Sequence, residues 1–223
     1  MTKPEKPDGG QGSLAPRKRM TQAERTALSD QRMYDAAMKL IGHHGTHNTT
    51  LKDVGELAGY SRGLASYRFG SKEALFGNLV TFFNHKWVEE LDRFVGGRTG
   101  LAAFIAALDA VEDFLLEQPD YMKAMYILWY ESITSHSEVR ERLAEQHEAY
   151  RADIVRWVRE GIAEGFIRPY IDAERLSIQF CSFIFGTIYQ WLVKPEAIDI
   201  PVAFSEYKHG VLALITERRR APR

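Results

Sequence analysis

Apolar residues recur along this chain at three- and four-residue spacing, and no stretch alternates apolar and polar positions between hairpin turns. That periodicity predicts an all-α chain of about nine helices. Tyr34, Ala37, Met38 and Ile41 line one face of a first helix over 22–44. Thr21 with Glu24 offers it a capping box, and Gly45 terminates it. Thr50 with Asp53 caps a short second helix over 51–58, which Gly59 stops. Ser61 starts a third that runs to Phe69, and Ser71 starts a fourth toward Val95. Five more follow over 101–117, 120–133, 138–164, 173–193 and 201–218. The joints carry turn residues: Gly96-Gly97-Arg98-Thr99, Gln118-Pro119, Ser135 and Ser137, Gly165 with Pro169, and Pro195.

The stretch from Thr50 to Phe69 has helix-turn-helix form. Two short helices meeting at a wide angle need a small residue where they touch, a glycine in the turn and an apolar residue sealing the elbow. Gly55, Gly59 and Tyr60 meet those needs, with Val54 and Leu57 expected to face inward. Ser61 would cap the second of these helices, and Arg62, Gly63, Ser66 and Tyr67 would face outward, toward a DNA major groove about 12 Å wide.

Composition and charge sharpen the picture. At 223 residues, with 45% hydrophobic and 26% charged positions, the chain is an ordinary globular one, large enough to bury a core without crosslinks. Its one cysteine, Cys181, excludes an intrachain disulfide and reads as a buried structural thiol. The longest apolar stretch, 180–193, is interrupted by Ser182, Gly186, Thr187 and Gln190, short of the ~18 residues of a membrane span. A cytoplasmic, non-membrane protein is therefore expected. Residues 1–85 carry 12 basic and 8 acidic side chains, net +4, and the rest 17 and 22, net −5, which gives the overall −1. Only the N-terminal part favours a polyanion. Residues 1–20, rich in proline and glycine early on and ending in Arg17, Lys18 and Arg19, read as a disordered basic tail. The tail can act as a minor-groove arm or simply be solvated.

Continued into Gly70-Ser71-Lys72-Glu73-Ala74-Leu75-Phe76, the motif resembles the DNA-binding domain of the TetR family of transcriptional regulators. The likeness runs from about Tyr34 to Val80. It rests on Ala36-Ala37-Met38-Lys39-Leu40-Ile41 followed by Gly45, on Thr49-Thr50, on Ala58-Gly59-Tyr60-Ser61-Arg62-Gly63, on Tyr67, and on Phe69-Gly70-Ser71-Lys72-Glu73-Ala74-Leu75. The resemblance implies a DNA-binding domain over 21–70 and a ligand-binding and dimerisation domain over 71–223, linked by the helix from about 72 to 95. It also implies a homodimer built on the last two long helices and release of DNA on ligand binding, most simply as a repressor. Three departures touch function. The third helix reads Leu64-Ala65-Ser66-Tyr67-Arg68-Phe69 where relatives commonly have Thr-Leu-Tyr-Tyr-His-Phe, so base preference cannot be copied. Arg68 makes a permanent cation of a titratable histidine, which should strengthen contact with the DNA backbone. Gly55 stands where alanine is usual, at a cost of up to about 1 kcal/mol in helix propensity.

Chemistry assigns the DNA-contacting roles. The planar fork of Arg62 can take O6 and N7 of guanine together. Gly63 and Ser66 allow close approach; Thr50, Tyr67 and Lys72, at or near helix N-termini, suit phosphate, and Ser61 is a cap. Surplus aromatics in the C-terminal part suggest a pocket for a small apolar or aromatic ligand: Phe114, Tyr121, Met125, Tyr126, Trp129, Trp157 and Phe183, with Glu131, Arg156 and Gln190 as candidate polar contacts. The 173–193 helix is apolar on nearly all sides. Phe185, Tyr189, Trp191 and Leu192, with Val211, Leu212 and Ile215 of the last helix, are the expected dimer contacts. His43, His44 and His47 lack a completing carboxylate, no phosphate loop or nucleophile motif is present, and no enzyme, metal or cofactor is expected. A helical carrier or enzyme retaining the motif, and an activator or effector-independent DNA binder, remain as alternatives.

Overall fold

The computed structural model describes residues 20–134 and 137–216. The basic tail with Arg17, Lys18 and Arg19, Ser135 and the stretch 217–223 lie outside the described residues. Nine α-helices occur among the described residues, with one short 3-10 turn, Pro195–Ala197. They are α1 (Gln22–His44), α2 (Leu51–Leu57), α3 (Arg62–Phe69), α4 (Lys72–Val95), α5 (Gly100–Glu117), α6 (Pro119–Ser132), α7 (Glu138–Ala163), α8 (Ala173–Val193) and α9 (Ile200–Ile215).

The ends follow local chemistry. Thr21 and Glu24 close the reciprocal capping box on α1. Thr50, Ser71, Ser137, Asp172 and Asp199 each accept a backbone N–H from the first turn they precede. Ser61 occupies the N-cap position of α3 without a side-chain cap bond, so its hydroxyl is not used as expected. The largest departure from the sequence pattern is the end of α9. Apolar spacing carries that helix to 218, yet it stops at Ile215, because the Ile215 carbonyl accepts the N–H of Arg168 at 2.8 Å and Thr216 pairs with Ile167 as an isolated antiparallel bridge.

The first three helices form the helix-turn-helix domain. Val54, Ala65 and Phe69 are buried in the same core as Met33, Ala37 and Ile41 of α1. The turn uses Gly59 at φ 80°, a backbone region that glycine enters without strain. Gly55 explains its own presence: a Cβ there would lie 3.0 Å from the Ser61 carbonyl oxygen, so its absence lets α3 start close against α2. Leu57, expected to face inward, is 53% exposed; Val54 alone of the two seals the elbow.

α4 leaves this domain and packs on α5 and α7, and α7 and α8 lie side by side across the C-terminal bundle. α6 packs within that bundle and also lies along α1, joined to α1 by the Tyr121 hydroxyl donating to Asp35 and to the following loop by the Thr46 hydroxyl donating to Glu131. α8 corrects one reading of the sequence: its 21 residues, with a mean hydropathy of 1.4 over 18 of them, are long and apolar enough to cross a membrane by composition. Its position in the fold supplies a different reason, since Leu176, Phe180, Ile184 and Ile188 enter the shared core while Ile178, Tyr189 and Val193 stay exposed.

Candidate nucleic-acid interface and aromatic cavity

α3 is short, and its apolar residues Ala65 and Phe69 are spent on the core, so its remaining face is left to solvent. Arg62, Gly63, Ser66 and Tyr67 lie there, Tyr67 at 87% exposure. Arg62 forms an ion pair with Glu56 of α2, and with the side chains 74% and 41% exposed it is a weak tether. Thr50 accepts the Asp53 N–H at 3.2 Å and donates to the Asp53 carboxylate at 2.6 Å, which fixes its hydroxyl at the start of α2. Lys52, which the sequence pattern does not single out, is exposed in that same first turn and adds a cation beside Thr50.

Two basic residues sit differently from expectation. Arg68 is half-buried and turned toward α1, 3.3 Å from Asp30, with its Nε buried and unpartnered. It docks α3 on α1 instead of facing the open side, because a helical side chain four residues beyond Leu64 and three beyond Ala65 lies on the same inner face. Lys72 donates to the carbonyls of Thr46 (2.9 Å) and His47 (3.2 Å), tying the first turn of α4 to the loop between α1 and α2.

Behind α4 lies an aromatic cavity of about 80 Å³. Phe114, Tyr126, Trp129 and Trp157 of the expected set line it together. Tyr121, Met125 and Phe183 do not: Tyr121 reaches α1, Met125 is fully buried in the core, and Phe183 stacks on Tyr207 of α9 with ring centroids 3.8 Å apart. The walls also include Phe83, Trp87 and Leu91 of α4, Tyr150, Asp153 and Ile154 of α7, and Phe180, Cys181 and Phe185 of α8. Phe83, Trp87 and Leu91 recur every four residues, and Tyr150, Ile154 and Trp157 at four and three, which is the signal that marks one helix face. The candidate polar contacts lie elsewhere. Glu131 holds Thr46, Gln190 donates to the Gly186 carbonyl at 3.3 Å, and Arg156 pairs with Asp153 at 2.7 Å and Glu160 at 3.7 Å.

The cavity is lined almost wholly by apolar and aromatic side chains, with Asp153 as its charged member among the described residues. Burial pushes the phenols of Tyr126 and Tyr150 far above their usual range and raises the Cys181 thiol. His147, beside Trp129 and Phe185, is held below its ordinary value first by burial and then by Arg151. Trp129 Nε1 and Trp157 Nε1 are buried without an acceptor.

The expected dimer contacts also divide. Phe185 lines the cavity and is partly buried, whereas Val211 and Ile215 are buried in the chain's own core. Packing of α9 on α5 claims that face of the helix. Trp191, Leu192 and Leu212 are half-buried and Tyr189 is exposed. Ile178, Val193 and Leu214 are exposed apolar residues on the same two helices. Gly186 and Gly210 lie within those helices at points where a Cβ would meet nothing within 4 Å among the described residues.

A family model described as "Bacterial regulatory proteins, tetR family" matches residues 33–79, and one described as "Tetracyclin repressor-like, C-terminal domain" matches residues 126–199. The HTH-type transcriptional regulator BetI of Agrobacterium fabrum is 33% identical over 104 residues, which are 45% of this chain and 50% of that relative, so the match spans half of its length. A TetR transcriptional regulator from Chloroflexus aurantiacus shares the fold at a TM-score of 0.76 and 22% identity, covering 87% of this chain and 99% of that one. A transcriptional regulator from Saccharomonospora viridis, solved in complex with choline, does so at 0.73 and 19%, covering 86% and 100%.

Proposed function

Because this chain belongs to the TetR family of DNA-binding transcriptional regulators, we propose that it acts as a homodimeric repressor, binding a pseudo-palindromic operator and leaving it when a small effector fills the aromatic cavity. The observation that carries this reading is α4. Its first turn, through Lys72, holds the loop before α2, and its middle, through Phe83, Trp87 and Leu91, is a wall of the cavity. A 24-residue helix is about 36 Å long at ~1.5 Å per residue, so a small tilt at the cavity becomes a larger displacement of α3. α6 supplies a second route, with Tyr126 and Trp129 on the cavity and Tyr121 and Glu131 on α1 and its following loop.

The effector can weaken DNA binding only by as much as it prefers the tilted state, and the coupling is reciprocal. Two copies are needed because two reading helices related by a two-fold axis present matching surfaces to matching half-sites. The uncovered apolar residues of α8 and α9 support a second copy as their partner. The experiment is selection of bound fragments from random duplex DNA, then calorimetric titration of a cavity ligand with and without the selected duplex. A pseudo-palindrome and a ligand affinity lowered about 5- to 150-fold by DNA are expected. Equal ligand affinities in the two titrations overturn the regulatory role of the cavity.

A further inference from the structure

The cavity carries a charge preference of its own, an inference that rests on the reading of this cavity as a ligand site. We propose that it takes a small organic cation, a quaternary or protonated amine bearing an apolar or aromatic group, and rejects anions. The lining is dominated by aromatic rings, with three indoles, Trp87, Trp129 and Trp157, and the phenol rings of Tyr126 and Tyr150 among them. Aromatic faces are the negative ends of the ring quadrupole, and an assembly of several attracts a cation that has shed its water. Among the described residues, Asp153 is the only carboxylate in the lining, and no lysine, arginine or histidine lines it. An anion placed here would lose its water and meet no compensating charge.

The hydrogen bonds point the same way. Tyr126 donates its hydroxyl to the Phe185 carbonyl at 3.3 Å and Tyr150 to Asn84 Oδ1 at 3.4 Å, which leaves oxygen lone pairs as what either can offer a ligand. The unpartnered N–H groups of Trp129 and Trp157 suit a neutral acceptor such as an ether oxygen and bring no charge to balance an anion. Outside the lining, Arg156 is shared between Asp153 and Glu160, so two carboxylates face one guanidinium. The same guanidinium lies 5.2 Å from the Trp157 ring, a cation already resting against this wall. Arg151, whose charge acts on His147 and Cys181, is not one of the lining residues. A cavity of about 80 Å³ sets a small ligand, below the ~300 Å³ at which sites for drug-sized molecules begin.

The test uses three probes of nearly one shape and three charges: phenyltrimethylammonium, tert-butylbenzene and benzenesulfonate, titrated into the full chain and followed by the fluorescence of the cavity tryptophans and by calorimetry. The cation should bind at least about tenfold more tightly than tert-butylbenzene, and benzenesulfonate more weakly than either. Asp153→Asn should lower cation affinity several-fold and leave tert-butylbenzene unchanged, which also reports that the variant is folded. Arg156→Gln, by releasing Asp153, should tighten the cation instead. Neutral or anionic probes binding as well as the cation, or no binding of any probe at millimolar concentration, overturns the proposal. The operator separates the two readings. A preferred cation that leaves DNA affinity unchanged supports the charge preference and removes the regulatory role, whereas tert-butylbenzene releasing DNA without any cation preference does the reverse.

Discussion

Arg62 and Arg68 lie six positions apart, and their placement gives them opposite predicted phenotypes. Arg62→Ala should cost about 1 to 3 kcal/mol on the preferred duplex and little on random DNA, as removal of a base contact does. Arg68→Ala should lower the unfolding free energy by about 1 kcal/mol through loss of the pair with Asp30, both side chains being under a third exposed, and should weaken all DNA alike. Duplex titrations beside urea unfolding distinguish the two. Gly55→Ala is a second case where position reverses propensity: helix preference alone predicts a gain, but the new methyl would press on the Ser61 carbonyl at 3.0 Å, so a loss of about 1 kcal/mol or more is expected by the same unfolding measurement. His147 gives the pH dependence. Its folded value is depressed, so its contribution to stability is complete above its ordinary value of 6.5 and is lost as pH falls through the folded value. His147→Phe should flatten that decline in thermal melts between about pH 7 and 5. The placements of Arg68 and His147 are not legible from residue type, since each depends on which neighbour the side chain meets across the fold, whereas Gly55 is marked in the sequence by the need for a small residue where two helices touch.

At the scale of elements, the sequence is a good guide to helices and a poor one to their faces. Caps such as Thr21 with Glu24 and stops such as Gly45 and Gly59 act within one turn, so eight of the nine helices fall within a residue or so of their expected ends. α9 does not, because its end is decided by Ile167 and Arg168, nearly fifty residues away. Leu57 turns outward although its spacing suits the core. The cavity was half legible: Tyr126 and Trp129 stand out as a cluster, whereas Trp87 and Tyr150 join it only when α4, α7 and α8 come together. The pairing surface suffers the same ambiguity, since an apolar residue is equally suited to a core and to a second copy. Tyr189→Arg with Leu214→Glu, both exposed in the protomer, should shift sedimentation from dimer to monomer at micromolar concentration while the melting temperature of Phe185→Ala falls instead. Unchanged sedimentation of the double variant would remove α8 and α9 from the interface.

For the whole molecule, the proposed division of labour follows the charge asymmetry read from the sequence: a basic N-terminal part that exposes the α3 face proposed to meet DNA, and an acidic C-terminal part that encloses rings. What joins them, α4 with Lys72 at one end and Trp87 along its length, was visible as a long helix, but its two attachments needed the fold. The claim on which the rest depends is that the α3 face recognises a particular DNA sequence. It is tested most directly by fluorescence anisotropy titration of the full chain against a selected duplex and its scrambled counterpart at two salt concentrations. Affinity for the selected duplex at least ~10³-fold tighter, with both affinities falling as salt rises, is the predicted result. Two titrations that superimpose would contradict it.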